Sequence, residues 1–258
     1  MGKFDGFLIC SDLDGTFRGG EDTVKRNGEA VRYFIENGGT FTFATGRSVA
    51  YLRNPEFFSV INAPACLCNG AVVYDYQQKQ VLRKVRVPFS LQDFLSELSD
   101  MKEIIKGMAL FFSETKESMI VEDFSNIPAK LLCKKMLKIV CIFEEKTVAD
   151  AFQKQMKRRP FFADCSILKS WPVGVEFNSS LATKGQALDF LKEHLGTIHT
   201  AVGIGDYEND IPLLMHADMG VAPRNAIDSV KKVADMIVKR ADQYAIEHLI
   251  EELEKEIG

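Results

Sequence analysis

The sequence predicts an α/β protein: a doubly wound parallel sheet into which a smaller α+β lid is inserted. Three observations predict it. Short apolar, β-prone runs such as Phe7-Leu8-Ile9-Cys10 and Thr40-Phe41-Thr42-Phe43-Ala44 alternate with helical patterns near both ends of the chain, as parallel strands covered on both faces require. From about Val85 the rhythm changes to a helix followed by several strands in succession. The 258 residues, 46% of them apolar, can fill two modest cores.

Taken in order, the first strand, Phe7 to Cys10, ends in Ser11-Asp12-Leu13-Asp14-Gly15-Thr16. Two carboxylates one residue apart repel unless a cation or a shared proton relieves them. The pair therefore reads as metal binding, acid–base chemistry or both, against the plainer reading of an acidic turn. A helix is expected over Asn27–Asn37, with Val31, Phe34 and Ile35 on one face and Gly38-Gly39 ending it. The second strand ends in Thr45-Gly46-Arg47, and a short helix from Ser48 is interrupted near Pro55. Pro64 to Cys68 is strand, which Asn69-Gly70 turns into Ala71–Tyr74 as a hairpin.

In the inserted segment, Leu91, Phe94, Leu95 and Leu98 mark a helix. Met108 to Phe112 and Met119 to Val121 read as paired strands around Glu114 to Glu117. Lys138 to Phe143 is strand, Val148 to Lys157 helix, and Phe161 to Leu168 with Val173 to Phe177 strands. Linkers are expected near Leu82 to Pro88 and Asn178 to Ala182. Thr183-Lys184-Gly185-Gln186 then opens an amphipathic helix with the pattern of a capping box. Ala201 to Gly205 is a strand running into Asp206, with Asn209 and Asp210 close behind. A helix over Ile211–His216, a strand at Met219–Val221, a helix near Ala226 to Val233, a strand at Met236–Val238 and a helix over Tyr244–Ile257 complete the chain.

Four of these segments, in this order, resemble the four motifs of the haloacid dehalogenase superfamily of phosphohydrolases: Asp12-Leu13-Asp14-Gly15-Thr16, Thr45-Gly46-Arg47, Lys184 at its helix start, and Asp206 with Asn209 and Asp210. Asn69-Gly70-Ala71, the run Gly220 to Ala226 and the long insert between the second and third motifs resemble the Cof-type subfamily. The resemblance implies a Rossmann-like catalytic core from residues 1–84 and 180–258, and an inserted α+β cap domain from 85–179. It also implies Mg²⁺-dependent hydrolysis of a small phosphate monoester, with phosphorylated sugars favoured.

Carried onto this chain, the family's roles make Asp12 the nucleophile that becomes an aspartyl-phosphate, and Asp14 the acid that protonates the leaving oxygen and then activates water. Thr45 bonds the phosphoryl oxygens, and Lys184 supplies positive charge at a helix start. Asp12, Asp206 and the main-chain carbonyl of Asp14 would hold Mg²⁺, with Asn209 and Asp210 supporting from outside. Gly46, Arg47 and Asn69 from the core, and Glu176 and Asn178 from the cap, are the remaining candidates for substrate contact. Each has a plain alternative: Arg47 pairs with an acid, Asn69 serves its turn, and Lys184 and Thr45 are an exposed helix residue and a turn hydroxyl. Trp171 and the Phe-rich cap strands read as packing. Arg224 departs from the Cof-type pattern and leaves its loop unassigned. The same aspartyl-phosphate would also serve a sugar-phosphate mutase, and a protein that binds a phosphorylated ligand without turnover is the non-enzymatic alternative.

A net charge of −4 provides no global field for nucleic acid or an anionic membrane. No apolar run approaches the roughly 20 residues of a spanning helix, and Phe7–Cys10 is too short for a signal-peptide core. The chain is expected to be cytoplasmic. Six cysteines with no Cys-x-x-Cys pair read as reduced interior residues. Four histidines without His-x-x-x-His spacing argue against zinc. The oligomeric state cannot be read from the sequence.

Overall fold

The structure is a computed structural model that describes residues 2–20, 22–113 and 118–257. Its strands in chain order are β1 (Phe7–Ser11), β2 (Thr40–Phe43), β3 (Ala65–Leu67), β4 (Val72–Asp75), β5 (Gln80–Lys84), β6 (Gly107–Phe111), β7 (Met119–Val121), β8 (Lys138–Ile142), β9 (Cys165–Trp171), β10 (Gly174–Ser179), β11 (Thr200–Ile204), β12 (Met219–Pro223) and β13 (Met236–Val238). Among the described residues, no helix is long and apolar enough to cross a membrane.

Five strands form one sheet in the order β13-β12-β11-β1-β2, and every neighbouring pair is parallel. Period-2 alternation divides their side chains between two faces. Ile9, Phe41, Phe43, Val202 and Ile204 join one core cluster with Val31 and Phe34 of helix Thr23–Glu36 and Leu249 of helix Ala245–Ile257. Leu8, Cys10, Ala201 and Ala222 join another with Leu188 and Leu191 of helix Lys184–Leu195 and Leu213 of helix Ile211–His216. The doubly wound α/β core expected from sequence is therefore present.

A second sheet, β7-β6-β8-β10-β9, is antiparallel. Its residues Met108, Leu110, Ile139, Cys141, Val175 and Phe177 pack with Phe94 of helix Leu91–Glu97 and Phe152 of helix Lys146–Met156 in a core of their own. The expected connection at Glu114 to Glu117 lies outside the described residues.

Several boundaries differ from the sequence reading for identifiable reasons. The first helix begins at Thr23, so Asn27 is interior. Its amide donates to the carbonyl of Phe17 at 2.7 Å, and its oxygen accepts from the backbone of Glu247 at 3.2 Å. Pro55 starts helix Pro55–Phe58 rather than interrupting one, as its fixed φ permits at a first helical position. Pro160–Phe162 is a short 3₁₀ turn, and β9 begins only at Cys165. Part of the expected linker, up to Lys84, is β5, paired antiparallel with β4. It is tied down by Arg83, which donates to the carbonyls of Gly70 at 2.9 Å and Leu181 at 2.6 Å. Of the expected capping box, only half forms. The Thr183 hydroxyl accepts from the backbone of Gln186 at 3.2 Å, whereas the buried Gln186 side-chain oxygen has no hydrogen-bond partner among the described residues.

Candidate active site

Because β1, β2 and β11 run parallel, their carboxyl ends open on one edge of the sheet, where α/β folds place ligands. Asp12 follows β1 and extends its pairing, with its N–H donating to Ile204 at 2.8 Å. Thr45 follows β2, and Asp206 lies two residues beyond β11. The chain leaves β1 through Gly15 at φ 87°, where a β-carbon would fall 2.6 Å from Oδ2 of Asp206. Only glycine allows that approach, and Thr16 then donates to Oδ1 of Asp206 at 3.0 Å.

Asp12, Asp206 and Asp210 each bring an oxygen within 4.8 Å of the other two. Lys184, in the first turn of its helix, is wholly buried beside them. Its Nζ donates to Oδ1 of Asp12 at 2.6 Å and to Oδ1 of Asp210 at 2.5 Å. The other oxygen of Asp210 accepts from the backbone N–H groups of Asp206 and Tyr207 at 2.9 and 3.0 Å. Burial, then repulsion from Asp210, pushes the Asp206 carboxyl up to about 7. Burial also raises Asp12 well above the usual range, against the pull of Lys184 and with Asp210 and Asp206 adding to the rise. For Lys184, burial opposes the charge, but Asp12 and Asp210 outweigh it and hold the ammonium protonated. Three acids with one ammonium leave uncompensated negative charge, and their all-oxygen donor set suits a hard divalent cation.

The Asp14 carboxylate turns away from this cluster. It accepts from Nε of Arg47 at 2.7 Å and from Arg18. Burial would raise its pKa, but the bond and charge of Arg47, with those of Arg18, hold it below the ordinary value. Arg47 also lies over the ring of Tyr51, 4.5 Å from its centre. Pairing with an acid, the plain alternative for Arg47, thus describes its present contact.

Between this edge and the antiparallel sheet lies a cavity of about 430 Å³. Asp12, Asp14, Thr45, Gly46, Arg47, Glu176, Asp206 and Asn209 line it. Lys184 and Asp210 sit behind Asp12 and do not. Neither do two expected substrate contacts, Asn69 and Asn178, whose amides tie the turn between β3 and β4 to β10. Asn69 has a left-handed backbone at φ 58°; it donates to Glu176 and accepts from Asn209 at 3.2 Å. Asn178 donates to the carbonyl of Cys68 at 2.9 Å. Arg224 is exposed, with its N–H on Val238 at 3.1 Å.

The sequence reading missed Lys138, which is buried at the start of β8. Its Nζ donates to the carbonyl of Gly46 at 2.9 Å and to Glu176 at 3.2 Å, and lies 4.6 Å from the ring centre of Phe111. The available signal was a lysine opening the otherwise apolar strand Lys138–Ile142, whose first four residues are all buried. It missed Arg18 and Tyr207 as well. Trp171, read as packing, lies in the cavity wall.

Comparison with known proteins agrees with this arrangement. The family model described as haloacid dehalogenase-like hydrolase matches residues 9–250. The 5-amino-6-(5-phospho-D-ribitylamino)uracil phosphatase of Bacillus subtilis is 26% identical over 232 residues, 89% of this chain and 88% of that protein. The phosphoglycolate phosphatase of Methanopyrus kandleri is 36% identical over 255 residues, 97% of this chain and 98% of that one. Among solved structures, a HAD/COF-like hydrolase from Plasmodium vivax shares the fold with a TM-score of 0.79 and 21% identity, covering 98% of this chain and 96% of its own. The chain belongs to the haloacid dehalogenase-like hydrolases and, among them, to the Cof-type phosphatases.

Proposed function

We propose that this chain hydrolyses small phosphate monoesters with the help of Mg²⁺, through a phosphoryl group carried on Asp12. The observation that carries the reading is the Asp12 carboxylate at the floor of the cavity, with Oδ1 held by Lys184 at 2.6 Å and Asp206 in the same cluster. Asp12, Asp206 and the main-chain carbonyl of Asp14 would hold the cation, with Asp210 and Asn209 behind them. When bound, it supplies the positive charge that lets one anion approach another.

Asp12 attacks phosphorus as the bond to the leaving oxygen breaks, and a proton passes from Asp14 to that oxygen. Water then gives a proton to Asp14 and attacks the same phosphorus, which frees phosphate and restores Asp12. An entering phosphoryl group offers Arg47 a second anion, and release of Asp14 from Arg47 removes the larger of the two guanidinium contacts that hold its proton affinity down, the other being Arg18. The Thr45 hydroxyl and nearby backbone donors orient the phosphoryl oxygens, and Lys184 keeps Asp12 in line from behind. Residues 85–179 act as the cap, closing the cavity over the core formed by 1–84 and 180–258. The names of the two relatives, both phosphatases of small phosphorylated metabolites, support the substrate class.

The test is phosphate release from p-nitrophenyl phosphate with and without Mg²⁺, for wild type, Asp12→Asn and Asp14→Asn. Asp14→Asn, which keeps the main-chain carbonyl, should retain Mg²⁺ binding, and Asp12→Asn, which removes a carboxylate ligand, should weaken it. Asp12→Asn should abolish turnover and Asp14→Asn should slow it by roughly 10²–10⁴-fold. An Asp12→Asn protein as active as wild type would defeat the reading.

A further inference from the structure

The loop Thr45-Gly46-Arg47 has three carbonyls, and each accepts a hydrogen bond. Thr45 accepts from the N–H of Asn69 at 3.0 Å, and Arg47 from the N–H of Cys68 at 2.9 Å. Both donors belong to the turn between β3 and β4. The middle carbonyl, that of Gly46, is held from the antiparallel sheet instead, by Nζ of Lys138 at 2.9 Å. A β-carbon at Gly46 would fall 3.2 Å from that Nζ and 3.1 Å from Oδ1 of Asn69, so the missing side chain is what admits the contact.

A trans peptide group is planar, with its C=O and N–H on opposite sides. Holding the Gly46 carbonyl toward Lys138 therefore sends the N–H of Arg47 the other way, where it donates to Oγ1 of Thr45 at 3.2 Å. The Thr45 hydroxyl accepts that N–H and keeps its own hydrogen for an anion in the cavity it lines.

The Lys138 ammonium is itself spent. Its three hydrogens have three partners: the Gly46 carbonyl, Oε1 of Glu176 at 3.2 Å, and the face of Phe111, whose centre is 4.6 Å away. The other oxygen of Glu176 accepts from Asn69. Although Lys138 and Glu176 both line the cavity, their side chains are only 3% and 1% exposed, and the ammonium has no hydrogen left for a ligand.

We infer that Lys138 is a positioning residue for phosphoryl transfer: from the cap, it fixes the Gly46–Arg47 peptide, and with it the direction of the Thr45 hydroxyl, without touching the substrate. The inference rests on the phosphomonoesterase reading above and deepens it, since phosphate binding at the core then depends on a lysine of the cap.

The test is calorimetric titration of inorganic phosphate, which has no leaving group, into the Mg²⁺-loaded full chain. Lys138→Met combined with Glu176→Gln removes the ammonium without stranding a carboxylate. Phosphate affinity should fall about tenfold. The kcat/KM should fall about 10²-fold, by the same factor for p-nitrophenyl phosphate and glycerol phosphate. Ile139→Val, next along the strand and packed into the second core, should lower Tm and leave phosphate affinity unchanged. Unchanged affinity in the double variant, or an equal loss in Ile139→Val, would assign Lys138 to cap stability alone and overturn the inference. A loss confined to one ester would make Lys138 a leaving-group contact and overturn it as well. If circular dichroism shows the double variant unfolded, Gly46→Ala presses on the same contact from the core side, and unchanged phosphate affinity there would overturn the inference. A wild type that binds phosphate yet releases none from either ester would overturn the phosphatase reading, while the titration still decides the role of Lys138 in holding the loop. A wild type that binds no phosphate would overturn both.

Discussion

Nζ of Lys184 lies 2.5 Å from Oδ1 of Asp210, wholly sealed from solvent, and the same ammonium holds Asp12 at 2.6 Å. One cation thus serves two buried carboxylates. Removing one partner of such a set leaves charge buried without compensation. Lys184→Ala should cost about 3–5 kcal/mol of stability in metal-free protein, measured from urea midpoints, and phosphate release should fall with it. Saturating Mg²⁺ should restore part of the stability and little of the activity.

Gly15 is constrained by its neighbour as well as by its φ of 87°, since any β-carbon there meets Asp206 at 2.6 Å. Gly15→Ala should displace that carboxylate. Mg²⁺ affinity by calorimetry is expected to fall by about tenfold or more, in line with other losses of support around a metal site. An unchanged affinity would show that Asp206 is not a ligand.

Lys138 and Glu176 form a buried ion pair between neighbouring antiparallel strands, with side chains only 3% and 1% exposed. Lys138→Met alone should destabilise the protein by about 3 kcal/mol, because it strands the Glu176 carboxylate. Pairing it with Glu176→Gln should recover much of that loss. A double-mutant cycle with no coupling would contradict the geometry.

The acid cluster also sets a pH dependence. The Asp206 carboxyl sits at about 7 in the fold, above the ordinary carboxylate value of 3.8, because burial and Asp210 disfavour its charge. Between those values the folded state holds a proton that the unfolded chain has lost, so the site's contribution to stability falls as pH rises through that window and is flat above it. Bound Mg²⁺ removes the penalty while competing with the proton. The rise in Tm on adding Mg²⁺ should therefore be larger at pH 8 than at pH 5. An equal rise at both values would place the cation elsewhere.

What the sequence by itself determined is the alternation of buried strands and amphipathic helices, and the type of residue at each strand's end. Period-2 and period-3.6 patterns are local properties, so Phe7–Cys10 and Ala201–Gly205 were legible as strands and Asp12, Thr45 and Asp206 as their polar ends. The long-range partners were not legible. Nothing near Lys138 in the chain announces Gly46, 92 residues earlier, and nothing near Asn69 announces Glu176, 107 residues later. Only the tertiary structure decided that Lys184 sits behind Asp12 rather than in the cavity, that Arg47 and Arg18 hold Asp14, and that Trp171 faces a ligand space. The physical reason is that burial and charge pairing depend on which surfaces the packed sheets bring together, and no local pattern encodes that.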